Sequence, residues 1–72
     1  MFVYPNPASQ FVSINNTAFA ELTITSAEGK VMNKQNITGK FMLDISKYDA
    51  GVYLVTLQSA EKIQAQKLVK NN

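Results

Sequence analysis

With 72 residues and a net charge of +2, the chain is expected to form one small domain spanning 1–72. It has no cysteine and no histidine. This removes thiolate nucleophiles, disulfides, the usual neutral-pH general base and the commonest zinc ligands. All seven positive charges are lysines (Lys30, Lys34, Lys40, Lys47, Lys62, Lys67, Lys70) and they are scattered. Nucleic-acid readers favour clustered arginine, so no nucleic-acid partner is expected. The acids Glu21, Glu28, Asp44, Asp49 and Glu61 are dispersed without calcium-loop spacing. No cofactor, metal site or enzymatic activity is expected.

No apolar run reaches the roughly 18 residues that a membrane-spanning helix needs, so direct membrane insertion is not expected. The opening Met1-Phe2-Val3-Tyr4-Pro5 lacks the basic segment and long apolar core of a signal peptide. For an exported protein, the export signal is then expected upstream.

Taken in chain order, the pattern is period-two and predicts seven short strands, at about 2–4, 10–14, 19–26, 30–37, 41–45, 51–58 and 62–69. The first meets Tyr4-Pro5-Asn6-Pro7, where two prolines fix φ and remove two N–H donors. Such a segment suits an edge strand, with a type I turn at Asn6-Pro7-Ala8-Ser9. In the second run Val12 and Ile14 alternate with Ser13. In the third Leu22 and Ile24 oppose Glu21, Thr23 and Thr25, as on a half-buried strand. Ala27-Glu28-Gly29-Lys30 and Thr38-Gly39-Lys40 each put glycine where a hairpin needs positive φ. Between them, Asn36-Ile37-Thr38 fits a glycosylation sequon, as does Asn15-Asn16-Thr17, but so short a match arises by chance.

The fifth run sets Leu43 and Ile45 against Asp44. It leads into Asp49-Ala50-Gly51-Val52-Tyr53, whose Asp-x-Gly-x-Tyr spacing is that of a tyrosine corner, in which the hydroxyl bonds to upstream backbone. Val52 to Leu57 is apolar on both faces and reads as a central strand. Ser59-Ala60-Glu61-Lys62 is short and polar enough to join the last two strands. In the final run Ile63, Ala65, Lys67 and Val69 share one face, and Gln64, Gln66, Leu68 and Lys70 the other. Terminal-strand lysines read either as guards of an exposed edge or as an edge offered to a partner. The phenylalanines and tyrosines fall mostly on expected core positions, with Tyr4 and Tyr48 the expected exceptions. Strands at this spacing, with polar turns, predict an all-β antiparallel sandwich.

The order of these segments resembles the C-terminal sorting domain of the type IX (Por) secretion system, found at the tail of large secreted proteins of Bacteroidetes-type bacteria. Tyr4-Pro5-Asn6-Pro7 matches the family's opening, and the following apolar strand looks like Phe11 to Ile14. Leu22 to Val31 with Gly29-Lys30, then Leu43-Asp44-Ile45-Ser46, then Gly51-Val52-Tyr53 and Lys67-Leu68-Val69-Lys70 follow in the family's order. Glu28 stands where Asp or Asn is common, and Asn71-Asn72 run past the terminal lysine.

The resemblance implies an immunoglobulin-like antiparallel β-sandwich of about seven short strands that directs a folded cargo across the outer membrane, to a secreted or cell-surface location. It also implies that the cargo is often cut upstream of the domain and attached to surface lipopolysaccharide. The implied partners are the type IX outer-membrane shuttle, a sortase-like protease and the translocon. Gly51, Val52, Tyr53, Lys67, Leu68, Val69 and Lys70 are then the expected recognition residues, and Tyr4, Pro5, Asn6 and Pro7 the N-terminal motif. A monomer is expected. The competing reading is an adhesion or carbohydrate-binding module of the immunoglobulin or fibronectin-III kind.

Overall fold

Alternating apolar side chains set the strands, and burial of their shared face draws the strands into two layers. The computed structural model describes residues 3–4, 10–15 and 19–71. In chain order the strands are β1 (Val3–Tyr4), β2 (Phe11–Asn15), β3 (Ala20–Ser26), β4 (Val31–Ile37), β5 (Lys40–Asp44), β6 (Gly51–Gln58) and β7 (Ile63–Lys70). One sheet has the order β1-β2-β5 and the other β4-β3-β6-β7. Every pairing is antiparallel, and no helix occurs among the described residues. The chain changes sheet from β2 to β3, from β4 to β5 and from β5 to β6. This is the Greek-key connectivity of an immunoglobulin-like sandwich. Each of the seven expected runs overlaps one strand.

The core lies between the layers. Val3, Val12, Ile14, Leu43 and Ile45 enter it from the smaller sheet and its margin. Ala20, Leu22, Ile24, Ile37, Tyr53, Val55, Leu57 and Leu68 enter it from the larger. Burying each large aliphatic contributes about 1.5–3 kcal/mol, and without disulfides this packing carries the stability. A β-bulge between Ile24 and Thr25 shifts the β4 register, so that Asn33 faces Ile24 but Val31 faces Thr25. The extra residue, Met32, packs against the core.

The β3–β4 hairpin forms as expected. Gly29 takes φ +93°, its N–H donates to the Ser26 carbonyl at 3.0 Å, and Ser26 N donates to the Lys30 carbonyl at 2.8 Å. The Thr38-Gly39 turn, expected to close a hairpin, instead carries the chain from β4 in one sheet to β5 in the other. A tight bend serves a corner as well as a hairpin, so the glycine marks the bend and not its destination.

The aromatic expectation is also corrected. Phe11 and Phe19 are exposed, and Tyr53 is the only aromatic buried among the described residues. The alternation that sends Val12 and Ala20 inward turns the phenylalanine before each outward. Tyr4 is partly exposed, as expected, whereas Tyr48 packs against the core cluster. Pro5, Asn6 and Pro7, with the turn expected there, lie outside the described residues.

Candidate recognition hairpin

The return from β5 to β6 is built from short polar contacts. Asp44 Oδ1 accepts a hydrogen bond from Ser46 N at 2.8 Å. That bond, with help from Lys47, holds the Asp44 carboxyl below the usual carboxylate range. Tyr48 N donates to the Ile45 carbonyl at 3.0 Å. The Tyr53 hydroxyl then donates to the Asp49 carbonyl at 2.6 Å, which is the tyrosine corner expected from the spacing. Tyr48 stacks on it at a tilt, with ring centroids 5.4 Å apart. Burial pushes the Tyr53 phenol above its ordinary pKa, and the charges of Asp49 and Glu28 push the same way. Gly51 sits at φ +153°, a conformation that residues with a side chain rarely adopt. The corner and the glycine together fix where β6 begins.

β6 is a central strand with β3 and β7 as neighbours, as its apolar run suggested, but only one of its faces is covered. Tyr53, Val55 and Leu57 point into the core, whereas Val52 and Leu54 are 45% and 47% exposed.

Two segments separated in sequence become partners here. In the β6–β7 register Gly51 faces Lys70, Val52 faces Val69, Tyr53 faces Leu68 and Leu54 faces Lys67. Every residue of Gly51-Val52-Tyr53 therefore lies directly across from one of Leu68-Val69-Lys70. The strand pleat sorts the set by face. Tyr53, Leu68 and Lys70 point inward and are buried; Val52, Leu54, Lys67 and Val69 share the outer face. Val31 also faces outward, across β3 from Leu54 through Thr25.

Lys70 corrects part of the edge-guard expectation. β7 is the outermost strand of its sheet, and Lys67 is exposed on it, but Lys70 is only 5% exposed. The Lys70 ammonium donates to the Asn71 carbonyl at 2.8 Å, and its aliphatic stem lies within the protein. Sequence reasoning did not single out Leu54 within the 51–57 segment, and it missed Gln66. Leu54 was within reach: with Tyr53 inward at the corner, period two places Leu54 outside beside Val52. The part played by Gln66, a contact with β1, has no local signal.

Fold and hairpin together define a small immunoglobulin-like sandwich whose last two strands form one two-faced ribbon. A family model described as a secretion system C-terminal sorting domain matches residues 2–71, and the chain belongs to that family. It is a type IX sorting signal, which implies export across the outer membrane to a secreted or cell-surface location. Membership also implies interaction with the type IX secretion machinery. No curated protein matches the chain.

Proposed function

We propose that the secretion machinery reads this domain on the outer face of the β6–β7 ribbon, through Val52, Leu54, Lys67 and Val69. Tyr53, Leu68, Lys70 and Gly51 hold that face in shape from beneath. The observation that carries this reading is the β6–β7 register, which makes one surface out of two motif segments remote in sequence. An outer-membrane shuttle docks there, the translocon passes the cargo, and a sortase-like protease cuts upstream and attaches the cargo to the surface. The domain acts as a monomeric ligand and substrate of these partners, with no catalysis of its own. Tyr4-Pro5-Asn6-Pro7 serves as the N-terminal motif of the signal.

The test is export of a fluorescent protein that carries an export signal and is fused upstream of this chain, in a bacterium with a working type IX system. Export that vanishes when the system is disabled, or when residues 68–72 are deleted, is expected. Normal export of the deleted form overturns the reading. Retention of a well-folded full-length fusion in the periplasm turns attention to the adhesion module instead.

A further inference from the structure

Gln66 stands on the inward face of β7, two residues before Leu68. Its side-chain amide meets the backbone of one residue of β1. Oε1 accepts from Val3 N at 3.2 Å, and Nε2 donates to the Val3 carbonyl at 2.9 Å. A primary amide thereby presents to Val3 the same donor and acceptor that another strand would present. β1 is the outermost strand of the smaller sheet and β7 that of the larger. The two bonds therefore tie one sheet margin to the other across the sandwich, between residues 63 apart in sequence.

Among the described residues β1 pairs with β2 at Val3↔Ile14 and Tyr4↔Ser13, and the next residue, Pro5, has no N–H to donate. The Val3 side chain is fully buried, so its backbone is fixed from within by packing and from the margin by Gln66.

We propose that Gln66 is the positioning residue that docks the first strand onto the sorting strand, so that the machinery meets β1 and the β6–β7 ribbon as one rigid unit. This rests on the reading of the ribbon as the recognition surface. The docking itself is measured independently of export.

The experiment compares Gln66→Ala and Gln66→Glu in the full chain, following hydrogen exchange at the Val3 amide with Val55 as internal reference, and export on the same cargo. Gln66→Ala is expected to lower Val3 protection by about tenfold or more while Val55 keeps its own. Export should fall several-fold. At neutral pH Gln66→Glu keeps an acceptor for Val3 N but sets its second carboxylate oxygen against the Val3 carbonyl, acceptor against acceptor, so the docking is weakened and Val3 protection is expected to fall. As pH falls through about 4–5 the acid regains a donor, and Val3 protection should return. A residue acting only by filling space gives no such return. Unchanged Val3 protection in Gln66→Ala, or no recovery in Gln66→Glu, overturns the docking. Lost protection with undiminished export overturns the coupling alone. Failure of the ribbon reading shows elsewhere, in variants at Val52 and Leu54 that leave Val3 untouched.

Discussion

The two faces of the β6–β7 ribbon are built from the same strands and the same register, yet they answer to different demands. The inner face is closed: Tyr53 and Leu68 pair within the core, and even the Lys70 cation is nearly out of water. The outer face leaves Val52 and Leu54 half in solvent beside Lys67. A central strand with a half-exposed apolar face gains less for folding from that face than from the one in the core. Its apolar character is what a docking partner would bury. The inner residues are accordingly expected to govern whether the signal exists, and the outer residues whether it is read.

Substitutions separate these two roles. Leu68→Ala removes a fully buried side chain and is expected to cost about 2–5 kcal/mol, measured by urea unfolding, with export lost through unfolding. Tyr53→Phe deletes the bond to the Asp49 carbonyl and should cost about 1 kcal/mol. The same residue has a pH signature. Its folded-state pKa lies above the ordinary value of 10.0, so the folded state holds the proton more tightly than the unfolded chain. Its contribution is level below about pH 10 and falls as pH rises through the raised folded value. Tyr53→Phe should flatten that alkaline loss in thermal melts. Gly51→Ala forces a side chain into φ +153° and is expected to cost about 1–3 kcal/mol by the same measurement, even though the added methyl meets open space.

On the outer face the balance reverses. Val52→Thr with Leu54→Thr places a β-branched strand former at both positions and should leave stability within about 1 kcal/mol while export drops strongly. Lys67→Glu should move stability by no more than about 0.5 kcal/mol and still reduce export. Equal export from these outer variants would remove the distinction between the faces.

The strands were legible because each buries one face, and period two is visible in residues such as Leu22, Ile24, Val55 and Leu57. The corner was legible for a similar reason: Asp49, Gly51 and Tyr53 act within five consecutive residues. Sheet membership was not, because Gly39 turns the chain equally well into a hairpin or a corner. The outward turn of Phe11 and Phe19 is hidden for another reason: their hydrophobicity points inward while strand alternation points them out. The Gln66 contact lay furthest from reach, because its partner is a backbone remote in sequence and any donor–acceptor side chain could have filled the place.

That same contact joins the first strand of the domain to the last. A ribosome working from the N-terminus completes β1 early and β7 at the end. Until β7 is made, β6 lacks a neighbour, the ribbon has no second strand and Val3 has no amide to meet. A chain stopped short or clipped near its end therefore cannot display the finished surface. In this architecture the outer face exists only once both strands that build it have left the ribosome.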